Sequence, residues 1–535
     1  MHEGTDPLHR HSDPDSHWTT ANLGEAMPGV ATALSASVWG DSVHRGLVAG
    51  AFALGAIGRA ERDSLHRAGN EQVALFHGRA AVNADFLALV GDRMPGTTGE
   101  QVVHRFFGQV PETMSFHPTG RRYPYAALGL PRAFAGYPGR ARALAAEYDT
   151  WWSARIAALA GGDAARAARV LAEVPDRMRR AVIVQSVTVM TCVQPVYEAL
   201  GTVVEGTGAG GFSILSAPPG GAESTVVADI WAASRGGLSV AQVIARHGFH
   251  GPREGEVSAR VWREDPSVLR NLVDQYRARP DDASPREQER RRAVERQGCE
   301  RELLAAVGMV RRPAVRAVLA LVGSRIPLRG LVKRSMLQSI DVARAAARVI
   351  GADLADRGRL DDPEDVFHLT VAELLAPSEQ TRKLVADRRR SREEHAAAPV
   401  PELWRGDVDA ARSLLAPPPV AGDRPELVEG VGVSAGVVEG VVRVVTDPSF
   451  EDVEPDEVLV APTTDPSWAS IMFVSAALVV DIGSALSHAA VVARELGLPC
   501  VVNTRTGTRD LRTGDLVRVD GSAGTVEVLQ RAEAP

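Results

Sequence analysis

The chain is poor in cysteine: Cys192, Cys299 and Cys500 are the three among 535 residues. They lie too far apart for a disulfide framework or a metal-ligand pattern, and they fit a reducing, cytoplasmic setting. An excess of positive charge is also missing. The net charge of −7 supplies no basic field that would point to nucleic acid or to an anionic membrane. The first residues, MHEGTDPLHRHSDPDSHW, contain no apolar stretch of the kind a signal peptide needs. The longest uncharged apolar run near the start, 46–58, is too short to cross a bilayer. No repeat of fixed period and no Gly-rich loop followed by Lys-Ser or Lys-Thr occurs, so no phosphate-cradling loop of that type is present.

What remains is an ordinary globular composition, 45% apolar and 24% charged, long enough for about two to four domains. Residues 1–17 are polar, and although His2, His9, His11 and His17 could suggest a metal site, the composition predicts a disordered, solvated tail. From 18 to 415 apolar residues recur at helical spacing, as in 141–162 and 342–358, the latter stopped by Gly358. The mixed-sign stretch 278–297 reads as a solvent-facing helix with internal ion pairs, or as a phosphate-contacting surface.

Character changes at 416–429, where three consecutive prolines make a stiff, extended spacer. Beyond it valine and glycine dominate. Segments 436–445, 457–462, 477–483 and 498–502 read as strands, and 515–529 reads as a hairpin around Asp520-Gly521. The expected fold is a mainly α domain over 18–415 followed by a small α/β domain over 430–530.

The chemistry concentrates in 463–502. A buried strand ends at Gly483, a Gly-Ser turn follows, and SHAAVVARELG starts a helix with Ser487 near its N-cap. His488 then falls in the first turn, where unpaired N–H groups and the helix dipole hold anions, and neutral imidazole is a competent nucleophile. On spacing alone, a histidine that merely packs or caps the helix start is the better fit, because histidines near helix starts are common.

The order and spacing of GVGVSAGVVEGVVRVV (430–445), TDPSW (464–468), DIGSALSHAAVVARELGLPCVV (481–502) and TGDLVRVDGSAGTV (513–526) resemble the mobile domain of the phosphoenolpyruvate-utilising enzymes. That family includes pyruvate phosphate dikinase, phosphoenolpyruvate synthase and rifampin phosphotransferase. The resemblance implies a swivelling domain whose histidine, here His488, carries a phosphoryl group between two distant sites. Ser487 and Ser484 would then orient the ring and contact phosphate, with Ser484 standing where many members carry a second glycine. Arg494, six residues beyond His488, is off the His488 face of the helix and is expected to make a structural ion pair.

Segments 22–40, 76–86, 246–266 and 358–374 resemble, more loosely, the substrate-binding domain of rifampin phosphotransferase. Within 323–335, Arg325, Arg329 and Lys333 share one face if the stretch is helical. They are either a basic patch for the incoming phosphohistidine or a solvated stripe, and Pro327 makes the register uncertain. His247, His250, Arg253 and Glu254 are either a substrate-pocket wall with a general base for an acceptor hydroxyl, or a structured polar turn.

No segment resembles the ATP-grasp domain of these enzymes. The resemblance therefore implies a carrier and acceptor subunit of a split ATP-dependent phosphotransferase. A separate ATP-grasp protein would bind ATP and Mg²⁺ and load His488, which would then pass the group to a small hydroxyl compound. The alternative is a non-catalytic ligand sensor whose His488 reports phosphorylation state.

Overall fold

The computed structural model describes residues 6–532 apart from 22, 28, 68, 108–109, 206–221, 414–423, 447–452, 465–467 and 484–486. Two compact units make up the fold. Unit 1 comprises Met1–Cys192, Gly255–Ala259 and Leu331–Pro417; unit 2 comprises Val193–Glu254, Arg260–Gly330 and Pro418–Pro535. The helical stretch expected as one domain over 18–415 is thus divided, with 193–254 and 260–330 grouped with the C-terminal residues. Hydrophobic periodicity marks helices but not which core each one joins. The proline spacer lies mostly outside the described residues.

Unit 1 is mainly helical. Helix Ala33–Leu54 is capped by Thr32, whose hydroxyl accepts from the Ser35 N–H, and stops at Gly55 in the left-handed region (φ 83°). Its apolar run packs against helix Ala164–Thr188. Gly46 and Gly50, one turn apart, make that approach possible. A Cβ on Gly46 would lie 2.5 Å from Val182 Cγ1, and one on Gly50 2.6 Å from Met190 Sδ. The helical run Ala164–Val204 has a mean hydropathy of 1.3 over its most apolar window and is long enough to cross a membrane by length and composition. Half of that window is buried in protein, as in a core helix.

A small antiparallel sheet completes unit 1, with strands β1 (His17–Thr19), β2 (Val73–Phe76), β3 (Arg79–Asn83) and β4 (Leu403–Arg405) in the order β2-β3-β1-β4. The described residues before β1, 6–16, pack against the fold rather than forming the solvated tail expected there. Leu8 is 1% exposed, and its carbonyl accepts from the Gly78 N–H at 2.6 Å. His17 bonds through Nδ1 to Asp85 at 2.9 Å and through Nε2 to Thr113 at 2.8 Å. The polar composition suggested solvation, but its partners lie far along the chain, where composition cannot show them.

In unit 2 the C-terminal residues form one eight-stranded sheet. Its strands are β5 (Leu427–Glu429), β6 (Val431–Ser434), β7 (Val437–Val444), β8 (Val458–Ala461), β9 (Ala477–Val480), β10 (Cys500–Val502), β11 (Leu516–Asp520) and β12 (Thr525–Gln530), in the order β5-β12-β11-β7-β8-β9-β10-β6. The run β7-β8-β9-β10 is parallel. β5 and β6 occupy opposite ends of this order, yet only Gly430 separates them in sequence. The sheet must therefore curl round on itself, and the Gly430 N–H donates to the Gly524 carbonyl at 2.8 Å across the closure.

Strand alternation explains the two apolar layers of this region. Val458, Val460, Ala477 and Val479 join an inner core with Val442, Val501, Val517 and Val526. Leu459, Ala461, Leu478 and Val480 face the other way, against helix His488–Leu496 and against Val226, Ile230, Leu272 and Tyr276 of the helical part of unit 2. The hairpin β11–β12 forms as expected, but its turn is longer than two residues. Asp520 Oδ1 accepts from the Ser522 and Ala523 N–H groups at 2.8 Å each, and Gly524 takes φ 79°.

Gly521 serves closure rather than the turn. A Cβ there would sit 2.0 Å from the Ser434 carbonyl oxygen and 2.7 Å from the Cys500 nitrogen. Both are rigid backbone, so Gly521→Ala must push β6 and β10 away. The expected cost is about 1–3 kcal/mol, read as loss of hydrogen-exchange protection in β6 and β10.

The stretch 278–297 falls largely in helix Pro285–Ala306, which buries only Leu303 and carries Glu287–Arg290 and Glu287–Arg291 ion pairs. Arg290 and Arg291 face solvent as expected, but burial lowers the pKa of Arg292 and Arg296, and Arg292 packs against Gly497.

Candidate functional site

His488 is the first residue of the nine-residue helix His488–Leu496. The helix follows β9, so its start lies at the carboxyl edge of the parallel strands, where α/β sheets place ligands. Asp481 anchors that strand end. Its carboxylate accepts from Thr504 Oγ1 at 2.9 Å and from the Thr508 N–H at 3.2 Å, and also takes the Thr508 hydroxyl. Ser487 is the N-cap (φ −61°, ψ 165°), and its Oγ accepts from the Ala490 N–H at 3.3 Å. Gly483 permits this geometry, because a Cβ there would come within 3.1 Å of Ser487 Oγ. Ser484, expected to contact phosphate, lies outside the described residues.

The imidazole is held by Thr464, whose Oγ1 is 3.3 Å from His488 Nδ1. Thr464 stands just beyond β8, within the motif at 464–468, and was not singled out in the sequence as a site residue. Its place as the first residue of that motif was the available signal. His488 is 6% exposed, so its ring is covered in this arrangement.

Arg325 ends helix Arg312–Arg325, and Arg329 lies in the first turn of helix Leu328–Asp356. Pro327 separates the two helices, but the turn is tight: the Arg329 N–H donates to the Ile326 carbonyl at 3.2 Å, as Ile326 does to Val322. Arg329 acts electrostatically on Tyr197 and Arg494. Burial raises the pKa of the Tyr197 hydroxyl; Arg494 and Arg329 oppose that rise, and Glu495 adds to it. Arg494 is buried, and that burial is the main cause of its lowered pKa, with repulsion from Arg329 adding to it. Its Nε donates to the Val433 carbonyl at 2.7 Å. An ion pair was expected for Arg494; the bond found here is to the backbone of β6. Arg329 thus acts electrostatically on Arg494, which lies in the last turn of the His488 helix, at the end away from His488.

His247, His250, Arg253 and Glu254 form a compact hydrogen-bonded turn in unit 2. His247 Nε2 meets Asp229 at 2.8 Å, and His250 Nδ1 meets Glu254 at 2.7 Å. Both histidines are 6% exposed and Glu254 1%. The turn is pinned by the Trp262 N–H, which donates to the His250 carbonyl at 2.8 Å. Arg253 adopts a left-handed conformation, φ 54°. None of the four lines the cavity of about 710 Å³ found in unit 1, whose walls include His9, Leu23, Met27, Trp39 and Leu75.

Residues 453–524 match the mobile domain of the PEP-utilising enzymes. Residues 237–329, which contain the His247–Glu254 turn, Arg325 and Arg329, match the rifampicin phosphotransferase fourth domain. A rifampicin phosphotransferase of a Streptomyces species is 34% identical over 313 residues, 53% of this chain and 33% of the relative. An uncharacterised protein of Mycobacterium tuberculosis is 34% identical over 286 residues, 53% of this chain and 30% of the relative. The prodigiosin synthesizing transferase PigC of Serratia marcescens is 30% identical over 314 residues, 54% of this chain and 32% of the relative. The chain spans about a third of the length of these relatives.

Proposed function

We propose that this chain is the carrier and acceptor part of an ATP-dependent phosphotransferase, with His488 as the phosphoryl carrier. The supporting observation is the placement of His488 at a serine-capped helix start on the carboxyl edge of a parallel sheet, inside the residues that match the mobile domain. An imidazole nitrogen attacks the β-phosphorus of ATP and the bond to the AMP oxygen breaks, while water attacks the γ-phosphorus and breaks the β–γ bond, so that phosphate departs and one phosphoryl group rests on nitrogen. An acceptor hydroxyl oxygen then attacks that phosphorus, the nitrogen–phosphorus bond breaks with its electron pair returning to the imidazole nitrogen, and the hydroxyl proton passes to solvent. Helix-start N–H groups and nearby guanidinium groups stabilise charge on the transferring oxygens.

The loading half-reaction is assigned to a separate ATP-grasp protein that binds ATP with Mg²⁺ and releases AMP and phosphate. The acceptor is a small hydroxyl compound. Burial of His488 means that the carrier region leaves its packing partners in the helical part of unit 2 to be loaded. Co-incubation with an ATP-grasp protein and ATP labelled on the β-phosphate tests this, with acid-labile label on this chain as the expected readout. Label that never appears, with an ATP-grasp partner shown to be active, would refute the carrier role. A further expectation is that the purified chain by itself neither binds ATP at micromolar concentration nor hydrolyses it. Calorimetry checks this, and tight binding would sink the two-protein arrangement.

A further inference from the structure

Unit 1 contains a cluster of imidazoles and carboxylates that the phosphoryl-transfer chemistry does not use. His77 opens the two-residue turn between β2 and β3, where Phe76 pairs with Arg79. His77 and Gly78 both have positive φ, 46° and 70°, the backbone of a type I′ turn, in which Asn-Gly is the favoured pair. A histidine held in that conformation costs backbone strain. His9 comes from the segment before β1, its ring centroid 4.4 Å from that of His77. Asp409 comes from helix Val408–Ser413. Each of the three offers one ligand atom, and these atoms lie within 4.8 Å of one another.

We propose that His9, His77 and Asp409 bind one divalent transition-metal cation, with Zn²⁺ as the probe, and that this ion clamps the N-terminal segment to the β2–β3 turn. Two imidazoles and a carboxylate suit Zn²⁺ and its neighbours rather than Mg²⁺ or Ca²⁺, which prefer oxygen ligands throughout. His77 Nε2 and Asp409 Oδ1 are 2.8 Å apart. Two ligand atoms of a tetrahedral site are roughly 3.3 Å apart for metal bonds near 2 Å, so a small separation admits the ion.

A second layer of groups is already in place. His77 Nδ1 faces His395 Nδ1 at 3.0 Å, and His395 Nε2 meets Asp6 Oδ2 at 2.8 Å. With metal on His77 Nε2, its proton sits on Nδ1 and is donated to His395 Nδ1, and the His395 Nε2–H is donated to Asp6. Such an outer relay fixes tautomer and ring orientation. Burial, the largest influence, lowers the pKa of both His9 and His77, which favours the unprotonated rings that a metal needs. Asp409 is 53% exposed on its side chain and His9 lines the 710 Å³ cavity, so the ion has a route in and a coordination position left open. Arg412 donates to Asp409 Oδ1 at 3.0 Å and competes with the cation.

The test uses the full chain, stripped with a chelator and titrated with ZnCl₂ by calorimetry and thermal unfolding. One Zn²⁺ per chain and a raised unfolding temperature are expected. His9→Ala and Asp409→Asn should each weaken binding at least about tenfold, and Arg412→Ala should tighten it. His77→Asn is the decisive variant, because Asn suits the positive-φ turn and the protein should fold at least as well without metal. It should lose both the binding and the metal-dependent rise in unfolding temperature. Absence of stoichiometric binding, or binding of unchanged affinity in His77→Asn, would overturn the site and leave the cluster as a hydrogen-bonded staple.

Discussion

His488→Ala should abolish acid-labile labelling of this chain by an ATP-grasp partner and labelled ATP. No other described side chain sits where His488 does, at a capped helix start on the sheet's carboxyl edge. The fold should survive. Alanine is a better helix former than histidine, the Ser487 cap uses backbone of the same helix, and Thr464 loses one long contact of 3.3 Å. A stability change of about 1 kcal/mol or less is expected, checked by circular dichroism and thermal unfolding. Wild-type labelling of a folded His488→Ala protein would remove the central claim.

The second large effect is expected at Arg329, and at Arg325 beside it. Arg329 acts electrostatically on Arg494, in the last turn of the helix that His488 opens. If this group of charges stabilises the phosphoryl group in flight, Arg329→Ala removes an interaction made mainly in the transition state. The comparable loss of one oxyanion donor is worth roughly 2–4 kcal/mol, or about 10²–10³ in turnover. Loading takes place at a different site and should keep its rate. Phosphorylated His488 should therefore accumulate in Arg329→Ala and in Arg325→Ala, measured as acid-labile label retained after the acceptor is added. Equal damage to loading and delivery would mean that the arginines act in folding or in docking the partner. Unchanged delivery would make them a solvated basic stripe.

The chemistry around His488 was readable because it is local. A strand ending in glycine, a short turn, a serine and a helical pattern follow one another within about ten residues, and each signal acts on neighbours along the chain. Thr464 was missed because it reaches His488 from 24 residues away, across two parallel strands whose pairing no local pattern states. The basic residues at 325 and 329 were recognisable as charges. Their proximity to Tyr197 and Arg494 required the helices to be placed. The turn at 247–254 was recognisable as a dense polar group, and His250 finds Glu254 within it, but the carboxylate that His247 meets is Asp229, 18 residues upstream.

By itself, the sequence determined the elements: long amphipathic helices, the Val-rich strands from 437 onward, the β11–β12 hairpin, and a histidine at the start of a capped helix. These follow from periodicities of 3.6 and 2 and from turn chemistry, which act over a few residues. Only the tertiary structure decided which helices share a core with the C-terminal sheet, how β5 and β6 come to opposite ends of a sheet that closes on itself, and that the polar N-terminal segment packs. His395 and Asp6, 389 residues apart, hydrogen-bond one another, and His17 bonds to Asp85 across 68 residues. Such pairings depend on the whole chain being folded, because hydrogen bonds and apolar contacts between distant segments leave no trace in the order of residues around either partner.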